Sequence, residues 1–510
     1  MAEKPRVVII GAGLAGLTAA RCLHAASAGD FFDLCVVEAG HRIGGRVLTS
    51  EFAGDRIEMG ATWIHGIDGS PIHAVAADIG ALAGSASVPW ERMDGFPSDP
   101  LTVAEGGTVV DPLLVVDPIT SLYCGLMDSA RDGDAPVEPK RPGVGPFLRR
   151  GLQEYRVSRG DKGADVGGGW SLEDMEEAVF ALHEFAERVC TSADDLSDLD
   201  LAAEGEYRDY PGDHVTIANG YSRIIEHLAS ALSPATILLG RRVRRIEWRL
   251  GGDDGGPVKL HFDGGENLTM TADHVIVTVS LGVLKAGLGK EGGGETSGLE
   301  FSPALPERKR EAIRRLGFGV VNKLFMEMGG TDETRFPFLQ MAFAPPTKEA
   351  KRTVPAWMRK TGSICPIYRG SRVLLAWFAG TEALELEALT DEEIISGVSA
   401  TLDAFLPPTA AAARVQRVKR SGWGRDPLFL GSYSYVAVGS SSDDLDAMAE
   451  PLAGARVSAV VPTPELLFAG EATHKSHYST THGAYLSGVR EATRLLRHYV
   501  PKLCPSAAAT

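Results

Sequence analysis

Val7-Val8-Ile9-Ile10-Gly11-Ala12-Gly13-Leu14-Ala15-Gly16 is the stretch on which the reading of this chain turns. Val7 to Ile10 is an all-apolar run of the kind a buried parallel strand shows. Gly11 to Gly16 turns the chain, and Leu17 to Ala28 is Ala/Leu-rich and helical. Phe31 to Glu38 then reads as a second strand. Strand, glycine turn, helix and strand within about 35 residues predict an α/β unit of the dinucleotide-binding kind. Gly11, Gly13 and Gly16 permit the tight turn and let the backbone approach a pyrophosphate, whose charge the helix N-terminus stabilises. Glu38 ends the second strand, where a carboxylate accepts both ribose hydroxyls and repels a 2′-phosphate.

Further signals lie on either side of the chain's middle. Glu38-Ala39-Gly40-His41-Arg42-Ile43-Gly44-Gly45-Arg46 continues the second strand, and its paired glycines let backbone lie close to a cofactor. Gly60-Ala61-Thr62-Trp63-Ile64-His65-Gly66 combines small residues, an aromatic ring and a histidine. Near the C-terminus, Phe468-Ala469-Gly470-Glu471-Ala472-Thr473 precedes Ser479-Thr480-Thr481-His482-Gly483-Ala484-Tyr485-Leu486-Ser487-Gly488. The second of these suits a helix whose small face packs on a flat ligand. His274 to Val279 and Leu466 to Ala469 read as buried strands, and Arg242–Leu250 and Val258–Phe262 as strands joined by a hairpin tip at 251–257. Ser171 to Thr191, with Ser171 as N-cap, and Tyr221 to Leu232 carry helical spacing. Residues 128–169, 286–298, 407–413 and 440–444 read as surface loops, with one helical turn at 148–155.

Composition narrows the function class. The 510 residues suggest two to four domain-sized units, at about 100–200 residues each. Lys plus Arg is 51 and Asp plus Glu is 67, a formal charge of 51 − 67 = −16. Such a surface disfavours nucleic-acid binding and favours attraction of small cations. The six cysteines form no CxxC pair and no His-containing metal cluster, so they read as thiols in a reducing compartment. No leader segment and no run of about 18 apolar residues is expected, which predicts a cytoplasmic chain without a membrane span.

Taken together, these motifs resemble the flavin-dependent amine oxidase family over nearly the whole chain, from Val7 to about Tyr499. GATWIHG, GSYSY (Gly431 to Tyr435) and FAGEATH followed by STTHGAYLSG look like its polyamine oxidases of the spermine- and thermospermine-oxidising type, plant cytosolic ones in particular. The resemblance implies a Rossmann-like FAD-binding domain, from segments 1–90, 214–296 and 452–500, interleaved with an α+β substrate-binding domain from 91–213 and 297–451. Residues 501–510 would be a tail. It implies non-covalent FAD, oxygen as electron acceptor, and oxidation of a secondary amine to give spermidine, 3-aminopropanal and hydrogen peroxide.

The resemblance also assigns residues. Glu38 would hold the adenosine ribose, Arg46 the diphosphate side, Ala15 the phosphate turn and Val243 the adenine. Thr62 and Trp63 would approach the flavin, Glu471 the ribityl chain, and Thr480 the isoalloxazine. Lys323, in the β-like run Val320 to Met326, would hold a water at flavin N5. His65 would orient a substrate amine and keep it neutral. Tyr433 would form one wall of an aromatic cage whose facing wall is Thr480, where monoamine oxidases carry a ring. Glu204 and Glu206 are candidates for remote ammonium groups, against the plainer reading of a solvated acidic loop. Other enzymes of the superfamily, and a flavin-holding protein without turnover, are the rival readings.

Overall fold

The computed structural model describes residues 4–503 apart from 27–30, 84–98, 134–142, 161–164, 250–256, 266–267, 290–297, 330–335, 346–352, 369, 407–413 and 454–462. The expected loop at 407–413, and most of those at 251–257 and 286–298, lie outside the described residues.

The opening motif folds as β1 (Arg6–Ile10), α1 (Leu14–Ala26) and β2 (Asp33–Val37). β1 is flanked in parallel by β2 and by His274–Val277, with Ile9 opposite Val36 and Ile276. Pro464–Phe468 and, beside β2, Ile237–Leu238 extend the parallel set, and Leu452–Ala453 closes the far edge antiparallel, giving a six-stranded sheet. The apolar runs are strands because both faces of this sheet are covered. One face packs under α1 and the C-terminal helix Thr481–Leu503, around Val7, Ile9, Ile276 and Leu467. The other meets Ile246, Trp248, Leu260 and Leu445.

A second, seven-stranded sheet is built from residues 101–109, 321–328, 339–342, 363–366, 373–379 and 415–420. Val321–Met328 is its most enclosed strand, buried at all eight positions. Helix Leu172–Thr191 packs across this sheet on Leu339–Ala342 and Val373–Ala379. Ser171 caps it as expected, its hydroxyl accepting from the Asp174 N–H at 3.1 Å. Glu300–Ser302, which falls in the expected substrate-domain segment, pairs instead with Val243–Glu247 in a small four-stranded sheet.

Three expectations are corrected. Within 128–169 there is a full helix, Val144–Arg159, rather than one turn. Its Val144, Leu148 and Leu152 are buried against Met127 and Ala178, and Arg156 pairs with Glu177 at 3.0 Å. Residues 440–444 enter a helix, Ser442–Ala449, whose start is fixed by the Ser441 N–H donating to Asp444 at 3.2 Å. Finally, Pro112–Arg131 is long and apolar enough to cross a membrane by length and composition. Here it places Ile119, Tyr123 and Met127 in a protein core.

Ile276 is fully buried between Ile9 and Leu467 at the centre of the first sheet. Ile276→Ala removes that contact and leaves a void that neighbouring strands cannot close. It is expected to cost about 2–5 kcal/mol, read as a lower urea midpoint with an unchanged slope.

Candidate active site

The two sheets enclose a cavity of about 980 Å³ that runs from the glycine turn of β1 to the helix Leu172–Thr191. At its first end, the Gly11 N–H donates to Val37 O at 2.8 Å, and the Gly44 N–H donates to Ala12 O at 2.8 Å. The second bond ties the two glycine motifs together. A Cβ at Gly16 would stand 2.0 Å from Gly11 O, so only glycine allows this turn. Gly16 therefore shapes the site from behind, while Gly11, Gly13 and Ala15 line it. Arg42 holds the second motif in place, donating to Val47 O at 3.2 Å and Gly45 O at 2.7 Å. Sequence reasoning gave Arg42 no role. Its task depends on where the loop's carbonyls point, which spacing does not encode.

Glu38 lies at the end of β2, one oxygen accepting from the Ala12 N–H and the other from the Gly40 N–H, each at 2.7 Å. Each oxygen keeps a second lone pair for a ligand hydroxyl. Arg46 directs Nη1 at Ser432 O (2.6 Å) and at Glu471 (3.0 Å). Its Nε and Nη2 protons have no partner among the described residues, and the side chain lines the cavity. Val243 lines the same end. A glycine cradle at a helix N-terminus, a carboxylate at the strand end and an arginine with unused donors together fit a dinucleotide.

Glu471 does more than face a ligand. Its carboxylate also accepts from Ser434 Oγ at 2.5 Å and from the Ser479 N–H at 2.9 Å. Thr480 lines the cavity, but its hydroxyl accepts from the Gly483 N–H at 3.1 Å and so caps the C-terminal helix. Trp63 and Thr62 line the middle of the cavity.

Lys323 projects from its buried strand to the cavity's midpoint and is 3% exposed. Nζ donates to Glu58 O and Gly60 O, each at 2.7 Å, and to the Thr62 hydroxyl. It also lies 4.3 Å from the Trp377 ring centroid. An ammonium has three donors, and these oxygens take all three. A water held here is reached through the Thr62 hydroxyl or displaces one of the carbonyls.

The far end is acidic and aromatic. Tyr433 lines it, its hydroxyl donating to Val189 O, and burial raises its pKa well above the usual range. Glu204 is 7% exposed, on a short turn of helix, and faces the cavity. Burial, and then the neighbouring Glu187, push its carboxyl up to about 7. Glu206 is exposed and does not line the cavity, so that assignment is withdrawn. A six-residue helical turn cannot aim both carboxylates the same way. Glu187, from the helix Leu172–Thr191, is the acid that sequence reasoning missed. It lines the cavity 3.9 Å from Arg131, and burial raises its carboxyl too. Helical spacing over Ser171 to Thr191 does not separate a cavity-facing acid from a solvated one. His65 lies between the two ends, with its pKa lowered by burial and by His214 against the opposing effect of Asp209. Cys190 also lines the cavity, and burial, then the neighbouring Glu187, push its thiol up to about 12, which disfavours the thiolate.

Comparison with known proteins places this geometry. Residues 14–496 match the model of the flavin containing amine oxidoreductases. The chain is 56% identical to "Polyamine oxidase 1" of Oryza sativa subsp. japonica, with 98% of each chain covered. It is 48% identical to "Probable polyamine oxidase 5" of Arabidopsis thaliana, covering 98% of this chain and 99% of that one. The solved cyclohexylamine oxidase from Brevibacterium oxydans IH-35A shares the fold, with a TM-score of 0.63 at 18% identity over 97% of this chain and 99% of that one. The two-domain architecture, the cofactor FAD and the activity of an FAD-dependent oxidoreductase follow, and the chain belongs to the flavin-containing amine oxidoreductase family.

Proposed function

We propose that this chain is a polyamine oxidase that oxidises spermine or thermospermine at a secondary amine, giving spermidine, 3-aminopropanal and hydrogen peroxide. The observation that carries the proposal is the acidic pair of buried Glu204 and partly buried Glu187 at the end of the cavity opposite the glycine cradle. The polyamine oxidases to which the chain is similar add their weight. When bound, without a covalent link in this proposal, FAD supplies the two-electron acceptor for hydride from the amine α-carbon and passes the electrons to oxygen. The chain's own residues bind, orient and exclude water.

Charge sets the register. A terminal ammonium against a carboxylate at about 4 Å gains roughly 1 kcal/mol in water but about 4 kcal/mol at an effective dielectric near 20. A buried glutamate therefore discriminates where exposed Glu206 does not. With its terminal ammonium at Glu187 and Glu204, a long polyamine lays an inner secondary amine in the middle of the cavity, near Lys323 and His65. Tyr433 and the neighbouring Tyr435 flank the aliphatic spacers. Thr480 leaves one wall without a ring, which suits an extended chain rather than a compact aryl amine. The proposal keeps the enzyme in the cytoplasm, in line with the free cysteines among the described residues.

Lys323→Met is expected to retain flavin but slow the oxidative or reductive half-reaction by about 10²–10⁴-fold, the usual cost of one electrostatic or proton-transfer contact. Rapid-mixing measurement of both half-reactions checks this, and wild-type rates in both would remove Lys323 from the chemistry.

Glu204 pairs with ammonium only when ionised. Its folded carboxyl titrates near 7, so pairing strengthens as pH rises through that value. KM for spermine is expected to fall between about pH 6 and about pH 8, and Glu204→Gln to flatten that dependence and raise KM about tenfold at the upper end. Steady-state kinetics with spermine, thermospermine, spermidine and benzylamine test the whole proposal. Tetraamines should have the highest kcat/KM, and benzylamine equal to them would defeat the polyamine reading.

A further inference from the structure

Trp63–Ile64 and Val215–Thr216 form a short antiparallel ribbon, with Trp63 opposite Thr216 and Ile64 opposite Val215. One further step in that register sets His65 opposite His214. Their imidazoles meet Nδ1 to Nδ1 at 3.2 Å, with ring planes crossed at 76°. The Asp68 N–H donates to Pro211 O at 2.8 Å and fastens the two flanking loops together. Both rings line the cavity, but His65 is half-buried whereas His214 is exposed to solvent. The pair therefore spans from the reacting region to the outside.

The titratable groups around His65 come from two elements. Asp209 and His214 belong to the segment before the ribbon's second strand, and His482 belongs to the C-terminal helix. His477 stacks on Tyr210 beside them, with centroids 4.9 Å apart. Glu204 and Lys323 face the cavity from other elements.

Two Nδ1 atoms can hydrogen-bond only while one of them carries the proton. If His65 holds that proton, its remaining basic atom is Nε2. A polyamine nitrogen arrives as ammonium, since aliphatic amines titrate near about 10, and hydride can leave only once that nitrogen is neutral. We propose that His65 and His214 form the relay that removes this proton, an inference that rests on the amine substrate of the preceding section. The ammonium N–H bond breaks and its proton joins Nε2 of His65. The Nδ1 proton of His65 passes to Nδ1 of His214, and the Nε2 proton of His214 leaves to water. One proton is transferred from substrate to solvent and no electrons move. The starting tautomers are restored by exchange with water once the product has gone. His65 is the member that touches substrate, and His214 is a positioning residue acting through it.

The test uses holoenzyme carrying His214→Ala or His214→Gln. Anaerobic flavin reduction by spermine is followed across pH, with and without added imidazole. In His214→Ala, reduction should slow about tenfold or more on the acidic side and much less on the alkaline side, where more substrate is already neutral. Imidazole should restore it, because the exposed position admits a small replacement base. His214→Gln still accepts the His65 Nδ1–H but cannot pass a proton on, so it should remain slow and unresponsive to imidazole. In ¹⁵N-histidine NMR of the substrate-free holoenzyme, the His65 titration should shift when His214 is replaced. A wild-type pH profile in His214→Ala, or uniform slowing that imidazole does not relieve, overturns the relay. An unchanged His65 titration does the same. Wild-type flavin that spermine fails to reduce at any pH overturns the substrate reading instead, and the relay with it.

Discussion

The carboxylate of Glu471 is the junction on which the site depends. It gathers Arg46 from the loop after β2, Ser434 beside the second sheet and the Ser479 N–H ahead of the C-terminal helix. Arg46 lies 425 residues from Glu471 in sequence, whereas Ser434 and Ser479 lie 37 and 8 residues from it, and together they join both halves of the cavity wall. Glu471 is itself buried, so losing any one donor leaves charge in a poorly solvated place. Charge-assisted bonds of this kind hold geometry more firmly than neutral ones. The junction fixes Arg46 with donors to spare, and it fixes the segment that positions Thr480 as the cap of the last helix.

From this junction the cavity carries a gradient of chemistry. Near it lie backbone N–H groups, an arginine and a helix N-terminus, which suit a dinucleotide's phosphates. In the middle lie Lys323, Thr62 and His65, polar groups held on or beside rigid strands. At the far end lie Glu187, with Arg131 beside it, and Glu204; burial opposes the ionisation of both carboxyls. The two carboxyls raise each other's cost of ionisation, Arg131 offsets part of it, and a further cation would offset more. Under the proposed function, a bound ammonium favours the ionised form of Glu204, so recognition and proton release are linked.

Much of this was legible in the sequence. The glycine turn, Glu38 and the second glycine motif carry their meaning locally, because a βαβ unit places them within one short stretch. The buried strands at 274–279 and 466–469 announced themselves as apolar runs. Lys323 was legible through resemblance alone, since its strand pattern says nothing about three oxygens converging on Nζ. The helix Val144–Arg159 was obscured by glycine, proline and charge in the flanking chain, although its apolar positions keep helical spacing. Glu187, Arg42 and His214 were illegible for a common reason. Each owes its role to a partner brought in by tertiary contact, and neither periodicity nor composition records such a partner. Glu206 was misread in the converse way, because two residues along a helical turn reverse a side chain's direction.

The account's central claim is that the acidic pole fixes where along a polyamine the oxidation falls. Its most direct test is to identify, by mass spectrometry, the products formed from spermine under oxygen. The account predicts spermidine and 3-aminopropanal with one equivalent of hydrogen peroxide. Removal of a terminal amino group as ammonia, or a mixture of cleavage positions, would contradict it.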